Sequence, residues 1–307
     1  MMRRRDILAA SAALAAGPAA AQGLAVEPLA RFPSGTFLEN LVVRPDGSVL
    51  FTNYFARRVE AWSPAGAGPW AEVPLHPVSL ALLDGGAVAL AGHGAVFTQG
   101  PAALRGTGAV LLLDGQGRVQ RRLPLPEAIF PNGLLVLAPG LLLLADSALG
   151  RVWAVPLDGA PPRVWLDDPA LAGDPARPAL PGVNGIKRSA DGQALLLSNS
   201  ATRMLLRVGL DGAGMPAGAP APMARFPGID DFWVMPDGTI WAATHGGAIA
   251  RLRPGATEAE GFPAPGLEGN TALVAVPRAP AAYVLGTGGL AEGGRGEAML
   301  ARVTLPG

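Results

Sequence analysis

Four oxygen-bearing side chains recur at one position of a repeated sequence pattern: Glu39, Asn132, Asn184 and Asp230 each stand eight residues before a glycine, at Gly47, Gly140, Gly192 and Gly238. Val78 takes that position before Gly86, and Thr271 is the counterpart in a weaker sixth copy. Two carboxylates and two amide carbonyls suit a hard cation whose shell is completed by water. Ca²⁺ fits them best because it accepts amide oxygens and irregular geometry, with Mg²⁺, Mn²⁺ or Zn²⁺ as alternatives. Singly, each residue has a plainer reading: Asn132-Gly133 and Asn184-Gly185 as turn dipeptides, Glu39 as a solvated carboxylate, Asp230-Asp231 as a turn or helix cap. Their shared phase favours a metal site over four unrelated turns. The chain has no cysteine, which excludes thiolate metal sites, disulfides and thiol nucleophiles.

A cation at this position polarises a bound carbonyl, and hydrolysis then needs a base for the attacking water. Asp230 leads as base because it can face both cation and water, with Asp231 second. His245 competes, since a carboxylate bound to Ca²⁺ loses basicity. Asn53, His93, Asp146, Asn199 and His245 end the second strand of their repeats, which returns toward the start of the first. They form a second ring, expected either to contact substrate or to serve as hydrogen-bonded structural groups. The six tryptophans fall mainly within strand patterns and are expected to pack between elements.

The positioning elements are hairpins. Leu41–Val43 leads through Pro45-Asp46-Gly47 into Val49–Asn53, and the same strand, turn and strand recur around Gly86, Gly140, Gly192 and Gly238 at spacings of 39, 54, 52 and 46 residues. Third strands follow in Arg58–Trp62, Ala109–Leu113, Arg151–Val155, Met204–Val208 and Ala248–Leu252. Blades of a β-propeller have this length, and a six-bladed β-propeller with four-stranded blades fills residues 22–307 as one domain. Leu24–Phe32 is placed to add an edge strand to the last blade and close the ring. A β-sandwich does not require one hairpin six times. Composition agrees: 42 Gly and 31 Pro in 307 residues supply many turns, while 50% apolar residues can bury a large core. Zero net charge and a pI near 6.9 lack the footprint of a nucleic-acid binder. Lys187, the single lysine beside 23 arginines, is read as a composition bias.

Residues 1–21 read as a cleaved export signal: Arg3-Arg4-Arg5, an apolar run from Ile7 to Ala16, then small residues to Ala21. Arg4-Arg5-Asp6-Ile7-Leu8 resembles the twin-arginine pattern, a general secretory signal being the alternative. The expected location is periplasmic or secreted. Leu134–Ala145 is broken by Pro139-Gly140 and reads as a hairpin, so no membrane span is expected after the signal.

Glu39, Pro131-Asn132-Gly133, Val183-Asn184-Gly185-Ile186 with Ala190-Asp191-Gly192, and Ile229-Asp230 with Pro236-Asp237-Gly238 and Trp241-Ala242 resemble the gluconolactonase and senescence-marker-protein (regucalcin) family. The resemblance runs from about Leu24 to the end. It implies a six-bladed propeller with Ca²⁺ at the channel mouth, hydrolysis of a sugar lactone, Glu39, Asn184 and Asp230 as direct ligands, and Asn132 as a ligand or water-mediated partner. Asp231 stands where gluconolactonases usually have Gly, and the Asp230-Asp231 pair is similar to the paraoxonases. The competing readings are a non-catalytic propeller with a structural cation and a metal-free propeller similar to strictosidine synthase.

Overall fold

The computed structural model describes residues 23–177, 180–290 and 293–307. The export-signal expectation, on residues 1–21, lies outside them. Strand β1 (Val26–Phe32) comes first, and with the strands that follow it makes six four-stranded antiparallel sheets, the blades. Blade 1 is β2 (Leu38–Val43), β3 (Val49–Asn53), β4 (Arg58–Ser63) and β5 (Gly66–Glu72). Blade 2 is β6 (His76–Leu82), β7 (Val88–His93), β8 (Gly108–Leu113) and β9 (Val119–Leu125). Blade 3 is β10 (Pro131–Ala138), β11 (Leu141–Asp146), β12 (Arg151–Pro156) and β13 (Arg163–Asp167). Blade 4 is β14 (Val183–Arg188), β15 (Ala194–Asn199), β16 (Met204–Gly209) and β17 (Ala221–Arg225). Blade 5 is β18 (Phe232–Val234), β19 (Ile240–Ala243), β20 (Ala248–Leu252) and β21 (Glu260–Pro263). Blade 6 takes β22 (Asn270–Ala275), β23 (Ala281–Gly286) and β24 (Ala298–Thr304), and β1 pairs with β24 to complete it. The ring closes as the sequence predicts, by joining the start of the chain to its end.

The burial of each strand follows its place in the blade. Every residue of β3, β7, β15 and β23 is buried, because blades pack against both faces of these strands, and their sequences are near-continuous apolar runs. The outer strands β5 and β9 are largely exposed. The core therefore lies between blades: Leu143 and Ala154 of blade 3 pack with Ile186, Leu197 and Leu206 of blade 4. Trp153, Trp165 and Trp241 are buried in such clusters, while Trp62, Trp70 and Trp233 pack against their margins.

The repeated turns have a local cause. Asp46, Asp191 and Asp237 each accept the backbone N–H two residues on, from Ser48, Gln193 and Thr239 at 2.8–3.0 Å. The glycine between them has φ of 71–85°, which L-residues with a Cβ adopt only under strain.

At the other end of the first strand, register slips in five of the six blades, and in blade 5 Asp230 and Asp231, just before β18, both bond to Ala243. In blade 1 the pairing jumps from Leu38↔Asn53 to Leu41↔Phe51, so Glu39 and Asn40 face Thr52 alone. Equivalent irregularities fall at Val78, Asn132-Gly133, Asn184-Gly185 and Thr271-Ala272. The eight-residue phase in the sequence is thus the distance from a β-bulge to a hairpin turn, and a bulge re-aims a side chain out of the pleat. Asn132-Gly133 and Asn184-Gly185 are strand bulges and not turns. A Cβ on Gly133 would stand 2.1 Å from the Asn184 carbonyl oxygen, and one on Gly185 would stand 2.4 Å from Asp231 Oδ1. Glycine is required there by close approach between neighbouring blades.

Candidate metal and active site

The bulges surround one mouth of the channel, at the floor of a cavity of about 660 Å³ that Glu39, Val78, Asn132, Asn184, His245 and Thr271 help to line. This is an ordinary size for a small-molecule site. Asp230 lies directly behind that floor, 2% exposed, against Asn184 and His245.

The ring positions are held from blade to blade. Ser79 Oγ donates to the Asn132 carbonyl, Ser147 Oγ to Val183 at 2.6 Å, Ser198 Oγ to Asp230 at 2.6 Å and Thr271 Oγ1 to Leu38 at 2.8 Å. These bonds fix the backbone of the bulges while leaving their side chains to face the mouth. Asn184 Nδ2 donates to Ser200 Oγ at 3.1 Å and to Asp230 Oδ1. Its carbonyl oxygen is thereby turned the other way. No side-chain partner holds the Asn132 amide among the described residues.

The carboxylates are short of donors. Glu39 Oε2 and Asp230 Oδ2 are sealed from water with no hydrogen bond. Part of the Glu39 stem borders the cavity, but burial and the nearby Asp231 charge push its carboxyl up to about 8. Burial, then Glu39 and Asp231, also raise Asp230 well above the usual carboxylate range. Two like charges buried together without donors are costly, and a dication between them removes that cost. Two carboxylates and two amide oxygens are the donor types that a hard cation accepts, although no group of three His, Cys, Asp or Glu placed to hold a metal occurs among the described residues. Softer metals would call for imidazole or thiolate ligands.

The three base candidates separate clearly. Asp231 has both oxygens committed, Oδ1 to Lys187 Nζ and Oδ2 to Asn40 Nδ2 at 3.0 Å, and it does not line the cavity. Asp230 Oδ1 is held by Asn184, while Oδ2 has His245 Nδ1 at 3.1 Å, off the line of a hydrogen bond. His245 lines the cavity with its Nε2 sealed from water, and burial lowers its imidazole to about 4.

His245 is also placed differently from the sequence expectation. Asn53, His93, Asp146 and Asn199 are each the last residue of their strand, but β19 ends at Ala243 and His245 stands beyond it in a turn with φ 63°. A non-glycine residue in that conformation is strained and is held by its surroundings. Asn270 does the holding: its carbonyl accepts His245 N–H at 3.0 Å, Oδ1 accepts Thr244 N–H at 2.6 Å, and Nδ2 donates to Gly246, Ala248 and Leu267.

The rest of the second ring does not reach the cavity. Asn53 Nδ2 donates to Glu60 at 2.9 Å. Asp146 accepts the backbone N–H groups of Ile129, Phe130, Ala148 and Leu149 and the Trp153 indole. Asn199 Nδ2 donates to Ala170 and Ala172, and its oxygen accepts Thr202 N–H. His93 Nδ1 lies 2.7 Å from the Ala95 carbonyl, and its ring packs on Tyr54 and Phe130.

Sequence reasoning passed over two residues. Lys187 is not mere composition: it balances Asp231 and sits 5.5 Å over the Phe232 ring. Its signal was its place, three residues after Asn184. Asn270, next to the ring position Thr271, carried no signal beyond its type.

No family model and no curated protein sequence matches the chain. Solved structures do. A gluconolactonase from Xanthomonas campestris superposes with a TM-score of 0.69 at 17% identity, covering 92% of this chain and 90% of that one. A regucalcin from Agrobacterium tumefaciens, described as a calcium-binding protein, gives 0.65 at 17% identity over 92% and 96%. A virginiamycin B lyase from Staphylococcus aureus gives 0.58 at 14% over 92% and 100%. The chain therefore shares the six-bladed propeller of the gluconolactonase and regucalcin that its motifs resemble.

Proposed function

We propose that this protein is a Ca²⁺-dependent lactonase, a carboxylic-ester hydrolase acting on a cyclic ester. The observation that carries the reading is the pair of donor-poor carboxylates, Glu39 beside Asn132 and Asn184 at the floor of a cavity large enough for a small molecule and Asp230 directly behind it. Glu39, Asn132, Asn184 and Asp230 would hold the ion. When bound, Ca²⁺ supplies Lewis-acid polarisation of the lactone carbonyl. The Asn184 amide keeps Asp230 turned so that Oδ2 stays free. We assign the proton of the attacking water to His245, which lines the cavity, because Asp230 lies behind the floor and would be engaged as a ligand. Asn270 fixes the turn that presents His245. Asp231, tied to Lys187 and Asn40, positions the channel wall and takes no proton.

Export through the signal in residues 1–21 belongs to the same reading, and a secreted protein beginning at Gln22 would support it. The decisive experiment is to strip the protein with chelator, add Ca²⁺, Mg²⁺, Mn²⁺ or Zn²⁺, and measure both the melting temperature and turnover of γ- and δ-lactones. A Ca²⁺-dependent shift with lactone hydrolysis is expected. Absence of any shift removes the metal site, and a shift without turnover leaves a binding propeller with a structural cation.

A further inference from the structure

The walls of the cavity are chemically unlike its floor. Phe37, Phe97, Leu104, Phe130, Leu180 and Pro181 are among the residues that line the cavity. Phe97 belongs to the segment between β7 and β8, which carries a short helical turn (Phe97–Gln99) and helix α1 (Pro101–Leu104). It is held there by Tyr54, whose hydroxyl oxygen accepts the Phe97 N–H at 2.8 Å, and its ring lies 5.1–5.9 Å from Tyr54, Phe37 and Phe55. Phe55 continues the aromatic surface outward and is exposed.

The serine and threonine hydroxyls that line the cavity have given their protons to the backbone, and the Tyr54 hydroxyl oxygen is taken up by the Phe97 N–H. Ser147 donates to Val183, Thr271 to Leu38 and Thr287 to Gly269, all backbone carbonyls. Among the described residues, no lysine or arginine lines the cavity. At the same end of the propeller, Arg57 is turned to His76 Nε2 and the Gly94 carbonyl, and Arg177 to the Ala201 carbonyl. Asp174 stands on the rim and accepts the Ala176 N–H. A polyhydroxylated lactone bound at the floor would press several hydroxyls on rings and aliphatic carbons, and each hydroxyl buried without a partner lowers affinity by about tenfold or more.

We infer that the substrate is a lactone bearing an apolar alkyl or aryl substituent, seated with its ester on the floor and its substituent against Phe37, Phe97 and Phe130, and not a sugar lactone. This rests on the lactonase reading for the reaction, but the class of ligand follows from the walls alone. Burial against such walls raises affinity by about two- to fourfold per methylene.

The test compares kcat/KM, with Ca²⁺ present, for δ-valerolactone, for δ-lactones with alkyl chains of two to seven carbons, and for glucono-δ-lactone. Titration calorimetry with the matching alkyl δ-lactams, which resist hydrolysis, runs beside it. The expected result is a rise with each methylene until the cavity is full, and a preference of at least about 100-fold over glucono-δ-lactone. Phe97→Ser and Phe37→Ser, each checked for a native melting transition, are expected to flatten that slope. Glucono-δ-lactone turned over as well as the alkyl lactones overturns the inference, as does an unchanged slope in both variants. If no lactone is hydrolysed but the alkyl lactams bind, and bind more than tenfold weaker to Phe97→Ser, the lactonase reading falls and the apolar ligand stands. Lactams that fail to bind, with no lactone turned over, overturn both.

Discussion

Two rings of polar side chains stand within a few residues of each other at one mouth of the propeller, and they spend their polarity differently. The residues that end β3, β11 and β15 give theirs to the protein: Asp146 alone gathers four backbone N–H groups and an indole. The residues at the start of the first strands do the reverse, with Glu39 Oε2 and Asp230 Oδ2 buried and without donors. Buried polar groups are almost always satisfied, so a ring that is not satisfied is waiting for something the chain does not supply. Both rings are polar in sequence; of the second, only His245 lines the cavity beside the first.

The sharpest way to break this contrast is to remove a charge from each ring. Asp230→Ala is expected to lower kcat/KM for the best lactone by 10³-fold or more and to abolish the Ca²⁺-induced rise in melting temperature. In the wild type that rise should be roughly 5 °C or more at a hundredfold excess of Ca²⁺ over its Kd, from about 2.7 kcal/mol of linkage. Glu39→Gln should do the same to activity, yet melt above the wild type when both are metal-free at neutral pH, because it removes the cost of burying a carboxyl that must take up a proton on folding. A metal-free Glu39→Gln that melts lower would mean that Glu39 already has a partner.

Asp146→Ala is the matched change in the second ring. It strands several buried N–H groups and should cost about 3 kcal/mol of stability, seen as a lower denaturant midpoint. Activity per folded molecule is expected to stay within about threefold of wild type. A large fall in kcat at full folding would place Asp146 in the site and erase the distinction between the rings.

The sequence exposed the first ring more readily than the second for a physical reason. A strand start at a fixed distance from a turn glycine puts residues of equal phase at equal places, so Glu39, Asn132, Asn184 and Asp230 could be found by counting. What a strand-end side chain does depends on the loops that fold over it. Asp146 is satisfied by N–H groups from 129–130 and 148–149, and no spacing rule announces that. His245 fell into the second ring by counting, but β19 stops two residues short of it and the turn carries it to the cavity floor. The aromatic walls were hidden for the same reason, since Phe97 lies in an insertion between strands.

His245 is therefore the residue that crosses between the rings, and its replacement separates metal binding from chemistry. His245→Gln should lower kcat about 100-fold while leaving the Ca²⁺-induced melting shift in place. Asn270→Ala, which frees the turn, should lower kcat by a smaller factor, about tenfold, and lose stability as well. If His245→Gln loses the melting shift together with the activity, His245 is a ligand and the proton acceptor lies elsewhere.

His93 carries the comparison into pH. It is fully buried, with Nδ1 facing the Ala95 carbonyl and Nε2 unpartnered among rings of Tyr54, His76 and Phe130. Burial lowers it to about 4, whereas the unfolded chain titrates near the ordinary histidine value of 6.5. Between those values the unfolded state holds a proton that the folded state refuses, so the contribution of a neutral His93 is complete above about pH 6.5 and drains away as pH falls toward 4. From pH 7 to pH 5 the loss is about 2 kcal/mol. Phenylalanine fits the same aromatic surroundings without titrating, so His93→Phe should lose about that much less stability than wild type over the same interval, as read from denaturant midpoints in chelator-treated protein. Parallel losses in the two proteins would show that the pocket opens to water on the acid side, and that an unpartnered ring nitrogen away from the site is as accessible as one within it.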